Sequence, residues 1–140
     1  MPTLESRLIA LARSVGTDVK GLQQKTSIAL PAGMPIGGHK VICTDETGAA
    51  IYANSNVVVT ASSVVGVSIN AANIGDTVLV QFSGCITESS WSWEPKQPIY
   101  LGPNGTLNQA CPTDGFVMIV GFAVTATKMN VGLKQAIITI

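Results

Sequence analysis

Apolar residues recur along the first 22 residues with the spacing of a single helix face. Leu4, Leu8, Leu11, Val15 and Leu22 follow one another at intervals of 4, 3, 4 and 7 residues, with charged and small residues between them. These are the intervals of the a and d positions in a short coiled coil. We therefore expect residues 1–25 to form an N-terminal amphipathic helix that serves as an oligomerisation or anchoring segment.

A weak point interrupts this predicted helix. Gly16, Thr17 and Asp18 combine poor helix formers with a polar residue at a core position of the heptad. The helix either breaks there or continues to Leu22 with Val19 beside the polar position. Leucine at most seam positions does not choose between a dimer and a trimer, and a helix packed on its own domain is a further alternative. The predicted oligomer interface consists of Leu4, Leu8, Leu11, Val15, Val19 and Leu22.

A polar linker at 23–27 separates the predicted helix from a β-rich region. Short runs of Val, Ile and Thr alternate with Gly, Pro and Asn-Gly turns, which is typical of a barrel or a sandwich. We expect residues 26–140 to form a mainly β domain, either a small β-barrel or a sandwich. The predicted strands are 28–30, 39–44, 50–52, 57–60, 64–70, 77–83, 98–101, 116–126 and 135–140.

Two parts of the β region resemble each other. Residues 64–67 read Val-Val-Gly-Val, and 55 residues later 119–122 read Ile-Val-Gly-Phe. Each segment is followed by a further β run, at 75–80 in the first case and at 131–138 in the second. Two copies of one unit would give a pseudo-symmetric domain, and chance similarity among small apolar residues is the competing explanation.

The chain carries few charges. Only 11% of its residues are charged, against about 25% in an average soluble domain. Either Ser, Thr, Asn and Gly build an ordinary surface, or much of the surface is packed in an oligomer or on a larger shell, because interface cores are depleted in charge. Eight basic and eight acidic residues balance, without a basic run, so we expect no nucleic-acid partner.

The sequence predicts no membrane partner and a cytoplasmic site of synthesis. No apolar run approaches the roughly 18 residues of a membrane span, and arginines interrupt the N-terminal apolar positions, unlike in a secretory signal. Cys43, Cys85 and Cys111 are odd in number and match no metal-binding spacing. We interpret them as free thiols buried as small hydrophobic residues, which favours a reducing cytoplasm.

Candidate chemistry is sparse. His39 is the only histidine, without an evident Cys, Asp or Glu partner in the sequence, and the carboxylates are scattered. The glycine pair at 37–38 lacks the context of a phosphate-binding loop. We therefore predict no catalytic, cofactor or metal site and no enzymatic activity. A small cell-wall hydrolase with paired carboxylates is the enzymatic alternative.

Both tryptophans of the chain lie in one polar segment, residues 88–96. Trp91 and Trp93 are two residues apart, so in an extended segment they point the same way. Three interpretations compete: the pair caps the domain, it anchors a partner protein as a hot spot, or it forms a platform on which a sugar stacks. Trp91 and Trp93 are the candidate partner-binding residues.

Two stretches resemble proteins of tailed phages. Residues 8–22 are similar to a segment that recurs in tail-fibre and head-fibre proteins, where it forms or precedes a trimeric stalk. The β region resembles capsid decoration (cement) and head-fibre base proteins. The matching motifs are an apolar-Val-Gly-Val strand at 64–67, Gly-Asp-x-Val-x-Val at 75–80, Gly84, Pro-Ile-Tyr-Leu-Gly-x-x-Gly at 98–105 and a second Val-Gly-Phe strand at 119–122.

This resemblance implies a homotrimeric structural protein of the virion. The expected partners are other copies of the chain and the major capsid protein or another virion protein, and the expected location is the capsid surface. Relative to the family pattern, the loop with Trp91 and Trp93 is interpreted as an insertion. The alternative function is a tail-fibre or baseplate module that binds a host-surface glycan through these two tryptophans.

Overall fold

The computed structural model describes residues 26–138. The predicted N-terminal helix and its seam lie outside the described residues, as do the last two residues of the final predicted strand. The described part contains twelve strands and the two 3-10 helices Val58–Ser62 and Pro103–Gly105. The strands are β1 (Ser27–Pro31), β2 (Val41–Thr44), β3 (Ala50–Tyr52), β4 (Val64–Ser68), β5 (Thr77–Gln81), β6 (Ser83–Thr87), β7 (Pro98–Leu101), β8 (Leu107–Asn108), β9 (Phe116–Val117), β10 (Ile119–Thr125), β11 (Lys128–Gly132) and β12 (Ile137–Ile138).

The strands form open antiparallel sheets. Sheet 1 has the order β1-β5-β4-β2-β3, and sheet 2 has the order β6-β11-β10-β7-β8. β9 and β12 form a separate two-stranded ribbon. Short β runs joined by tight turns pair antiparallel because a turn of a few residues brings the chain directly back beside itself. The prediction of a mainly β fold is confirmed for this part of the chain.

Sheets 1 and 2 are two copies of one structural unit. We call β1–β5 unit 1, and β6–β8 with β10 and β11 unit 2; with β9 left aside, both units have the strand order first-fifth-fourth-second-third. Val67 pairs with Val41 in unit 1, and Phe122 pairs with Pro98 in unit 2. In both ladders the register shifts directly after the next residue pair. The 55-residue sequence similarity is therefore a structural repeat in which Val67 and Phe122 are equivalent.

A glycine precedes each of these equivalent residues for a steric reason. A Cβ atom on Gly66 would overlap the carbonyl oxygen of Gln81 on the neighbouring strand. A Cβ atom on Gly121 would overlap the carbonyl oxygen of Asn130 in the same way. The close approach of the fourth and fifth strands thus requires glycine in both units, which explains its place in both sequence motifs.

One predicted strand is wrong. Residues 57–60 were expected to be extended, because Val and Thr favour strands. Instead, residues 58–60 lie in the 3-10 helix Val58–Ser62, and Val57 is its N-cap. The Thr60 hydroxyl donates a hydrogen bond to the carbonyl of Val57 at 2.7 Å and also lies 3.1 Å from the carbonyl of Asn54. These local side-chain bonds hold the turn and override the β propensity of the valines.

The sequence pattern also misses three strands: β6, β8 and β11. The predicted strand 77–83 ends at Gln81, and the chain starts β6 at Ser83 in the other sheet. The counterpart of β5 in unit 2 is β11 at Lys128–Gly132, not the predicted run 131–138. Lys128 and Asn130 alternate with buried residues along β11, so its apolar signal is weak.

Successive residues of a strand point to opposite faces of a sheet, and the two faces of sheet 1 enter different hydrophobic clusters. Ile42 belongs to one cluster, and its neighbours Val41 and Cys43 belong to the other. We call face A the face that carries Ile42 in sheet 1 and the equivalent Ile99 in sheet 2, and face B the opposite face. Face A of sheet 1 is covered by the loop 32–40, through Ala32 and Ile36.

The larger cluster joins both sheets. Face B of sheet 1 contributes Val41, Cys43 and Val67, and face A of sheet 2 contributes Ile99 and Met129 among others. Each fully buried side chain of this size stabilises the fold by about 2 kcal/mol. Residues of face A of sheet 2 and of face B of sheet 1 are thus buried in one cluster, whereas Phe122 on face B of sheet 2 is 47% exposed.

Candidate functional site

The predicted partner-binding tryptophans lie in a loop that has a counterpart in unit 1. The first and second strands are joined by residues 32–40 in unit 1 and by residues 88–97 in unit 2. Both units therefore carry a loop of similar length at this place. Loop 32–40 packs on face A of sheet 1 through Ile36, and loop 88–97 packs against the cluster shared by both sheets through Trp91 and Trp93.

Equivalent residues at the ends of the third strands hold the two loops. In unit 1 the Tyr52 hydroxyl accepts a hydrogen bond from the N–H of Gly37 at 2.7 Å. In unit 2 the side-chain oxygen of Gln109 accepts from the N–H of Glu94 at 2.7 Å, and its amide donates to the carbonyl of Glu94 at 2.9 Å. The position of the tryptophan loop is thus fixed by the repeat, not by the tryptophans alone.

Trp91 and Trp93 form a tilted aromatic pair at the edge of the shared core. Their ring centroids are 5.4 Å apart, and the ring planes make an angle of 52°. The backbone N–H of Trp93 donates to the carbonyl of Ala126 at 2.8 Å. Both side chains are half-buried and pack against the shared core. This arrangement favours the interpretation in which the pair caps the domain over the one in which a sugar stacks on it.

His39 connects unit 1 to this pair. Its imidazole meets the Trp91 ring edge to face, with centroids 5.2 Å apart, and its Nδ1 lies 3.4 Å from Oε2 of Glu88. The residue has a positive φ of 58°, and its N–H donates to the carbonyl of Ser68 at 2.8 Å. A histidine of unit 1 thus lies against the tryptophan loop of unit 2. These contacts of His39 could not be predicted from the sequence, because Glu88 and Trp91 lie about 50 residues further along the chain.

The carboxylate of Glu88 is stabilised in its charged form. The backbone N–H of Ser90 donates to Oε1 of Glu88 at 3.2 Å, and this bond is the main cause that lowers the pKa of Glu88; the nearby His39 adds to it. Side chains of His39 and Glu88 are 24% and 32% exposed. The cluster therefore offers one imidazole, one carboxylate and two indoles at a partly open edge between the units.

One polar atom of this cluster is unsatisfied. The indole Nε1 of Trp93 is buried and has no hydrogen-bond partner among residues 26–138. A buried donor of this kind costs free energy unless a partner is supplied. No group of three or more His, Cys, Asp or Glu side chains suited to a metal ion occurs in the described part of the chain.

The cysteines are distributed differently from the expectation. All three are free thiols, but only Cys43 is buried, whereas Cys85 and Cys111 are exposed. Cys43 lies on face B of sheet 1, and burial raises the pKa of its thiol. Cys85 lies on β6 beside Asn130, at the edge strand of sheet 2.

A feature that the sequence interpretation missed is the apolar character of the exposed surface. Two features of the sequence point to this surface: the three consecutive valines at 57–59, and Phe122, which is the equivalent of the buried Val67 in the repeat. The large exposed hydrophobic side chains are Val57, Val58, Val59, Ile69, Ile74, Leu79, Phe122, Val124, Ile137 and Ile138.

No protein-family model matches the chain, and no curated protein matches it significantly in sequence. Among residues 26–138, no helix is long and apolar enough to cross a membrane.

Proposed function

We propose that the chain is a structural virion protein without enzymatic activity: a homotrimeric capsid decoration or head-fibre protein that binds and stabilises a phage capsid. Its partners are other copies of the chain and the major capsid protein or another virion protein. It is made in the host cytoplasm and works on the capsid surface. The phage-like motifs at 8–22 and in the β region support this assignment.

The observation that carries the proposal is the apolar surface of a chain with few charges. The consecutive Val57, Val58 and Val59 are 41%, 41% and 78% exposed, in a chain of which only 11% of the residues are charged. Contiguous exposed apolar side chains are typical of surfaces that are covered by protein partners. Such a surface suits a protein whose working state is an assembly and not a free monomer.

The proposed architecture is a β-sandwich with an N-terminal coiled coil. The support for the sandwich is the single cluster to which face B of sheet 1 and face A of sheet 2 both contribute. The support for the coiled coil is the leucine seam at 4–22. Repetition around a closed shell makes the contacts multivalent, so modest individual interfaces are sufficient for stable attachment.

The decisive experiment is co-sedimentation with capsids. Purified full chain is mixed with empty capsids assembled from the major capsid protein of the same genome, and with capsids that already carry the chain. We expect saturable binding to the bare capsids, none to the decorated ones, and a higher melting temperature of the decorated shell. Absence of binding to bare capsids would contradict the proposal.

The alternative function, a tail-fibre or baseplate module that binds a host-surface glycan, is tested with the same protein. Both tryptophans lie in the candidate site, so their fluorescence reports on that site alone. Titration with isolated host-surface polysaccharide should leave the emission of a decoration protein unchanged. A saturable shift of the emission maximum would instead favour the glycan-binding function.

A further inference from the structure

Face B of sheet 2 is the surface on which the two units differ most. Val67 on face B of unit 1 is fully buried against sheet 2, whereas the equivalent Phe122 is 47% exposed. Pro98, which pairs with Phe122, is half-buried, and its equivalent Val41 is fully buried. Unit 2 therefore presents to the outside a face that serves as a packing surface in unit 1.

A groove crosses this exposed face. It has a volume of about 290 Å³, and Pro98, Ile119 and Phe122 contribute its apolar lining. Lys96 and Lys134 are its charged lining residues, and both are exposed. The N–H of Lys134 donates to the carbonyl of Ile119 at 3.0 Å, so the backbone of this lysine is fixed at the groove. An apolar floor beside two positive charges fits an apolar surface that carries negative charge.

A second surface of the same chain has this complementary character. Residues 57–59 expose three consecutive valines. The adjoining cleft has a volume of about 360 Å³, includes Ile51 and Val59 in its lining, and has Asp45 and Glu46 as its charged lining residues. We call the three valines together with this cleft the valine patch. It combines exposed β-branched side chains with two carboxylates.

The charges of both surfaces are available for pairing between molecules. Among the described residues, Lys96, Lys134 and Glu46 form no salt bridge. The Asp45 carboxylate already accepts hydrogen bonds from the turn that follows it. Glu46 is therefore the carboxylate that a lysine of another molecule would meet first.

We propose that the groove on face B of sheet 2 binds the valine patch of a second copy of this chain, with Lys96 and Lys134 opposite Glu46 and Asp45. Phe122 and Pro98 then pack against Val57, Val58 and Val59. The groove and the patch are different surfaces, so the contact is head-to-tail, and such contacts close into rings when the rotation permits. This inference rests on the proposed homotrimer and assigns the contact between its β domains.

The test is a charge swap in the full chain. The dissociation constant of the oligomer is measured by fluorescence-detected sedimentation over a dilution series. K134E and E46K should each weaken association by about tenfold or more, because each places like charges opposite one another at the contact. The double variant K134E/E46K restores opposite charges and should recover most of the wild-type affinity. A double variant as weak as either single variant would overturn the proposed pairing.

The apolar part of the contact has its own matched pair of variants. Phe122→Ser changes an exposed side chain in the groove, and Ile74→Ser changes an exposed side chain outside both surfaces. The first should weaken association by at least tenfold, and the second should leave it within about twofold. Circular dichroism confirms that both variants keep the fold. Equal effects of the two variants, or a wild-type chain that is monomeric at all concentrations, would overturn the inference.

Failure of this inference is distinguishable from failure of the proposed function. If the chain binds bare capsids but K134E and E46K leave its association unchanged, the decoration role stands and the copies associate elsewhere, for example through the leucine seam. If the charge swap behaves as expected but bare capsids are not bound, the contact stands and the decoration role fails.

Discussion

The two units of this protein share their strand order, and in both the pairing of the second with the fourth strand has the same register and the same register shift. They differ in what covers their faces. Face A of unit 1 is covered by its own loop, and face B of unit 1 is covered by unit 2. In unit 2, face A is buried against unit 1, and face B is exposed at Phe122. Strand order and register are thus determined within each unit, whereas the burial of a sheet face depends on which other part of the molecule packs against it.

The glycines provide the strongest test of the equivalence of the units. Gly66→Ala and Gly121→Ala should each destabilise the fold by about 3 kcal/mol or more, because the added Cβ atom meets a carbonyl oxygen of the adjacent strand. The free energy of unfolding is measured by urea denaturation. Gly132→Ala is the matched control, since a Cβ atom there has no heavy atom within 4 Å. A large effect at only one of the two positions would show that the units are not built alike.

The second prediction concerns the difference between the units. Val67→Ala should cost about 2 kcal/mol of stability, because it leaves a cavity in the shared core. Phe122→Ala, at the equivalent position, should cost less than about 1 kcal/mol in dilute, dissociated protein, because its side chain already meets solvent. Urea unfolding of both variants at the same low concentration checks this order. The reverse order would contradict the assignment of faces A and B.

The turns between the second and third strands are held differently in the two units. In unit 1 the Asp45 carboxylate accepts hydrogen bonds from the hydroxyl and the N–H of Thr47, and from the N–H of Ala49, and these bonds lower its pKa. The corresponding turn of unit 2, at 103–105, uses Pro103 and the Thr106 hydroxyl instead. Because the folded-state pKa of Asp45 is lowered, its stabilising contribution is present at neutral pH and is lost as the pH falls below about 4.

The expected outcome is a smaller loss of stability on acidification in Asp45→Asn than in the wild-type chain, measured by urea unfolding between pH 7 and pH 3. Thr47→Ala is the control, because it removes the hydroxyl donor but keeps the backbone donors to Asp45. It should show an intermediate pH dependence. An unchanged pH dependence in Asp45→Asn would mean that the carboxylate does not hold this turn.

The last expected difference is in the reactivity of the three thiols, and it involves no change in the stability of the fold. Burial raises the pKa of Cys43, and only the thiolate reacts with disulfide reagents. The folded chain should therefore expose two of its three thiols, Cys85 and Cys111, to an aromatic disulfide reagent, and the third only on unfolding. Rapid reaction of all three thiols in the folded chain would show that face B of sheet 1 opens readily.

Much of the fold could be predicted from the sequence. Eight of the nine predicted runs overlap strands, since their apolar residues alternate or cluster between turn residues. The repeat could be recognised in the sequence because glycine is sterically required at positions 66 and 121, so the same Val-Gly motif occurs in both units. The strands β6 and β11 were missed because small or polar residues surround the few buried apolar residues, Ile86 in β6 and Met129 and Val131 in β11.

The candidate site was predictable only in part. The sequence placed Trp91 and Trp93 together, since they are near neighbours, but it gave no partner for His39, which reaches Glu88 only because the two units pack against each other. The exposure of Phe122 could likewise not be predicted, since an apolar residue in a strand is expected in the core unless it is known which face of the sheet is covered. Non-local packing decides both features.

The stacking of the two units has a consequence for how such a chain could grow. Two sheets related by a two-fold axis would bury the same face and end the series. Here residues of unlike faces share one cluster, so face B of unit 2 stays exposed at Phe122, the equivalent of the buried Val67 in unit 1. A third copy of the unit, added by gene duplication, would therefore have an exposed sheet face to pack against, namely face B of unit 2. The cap of loop 32–40 closes the stack at one end only.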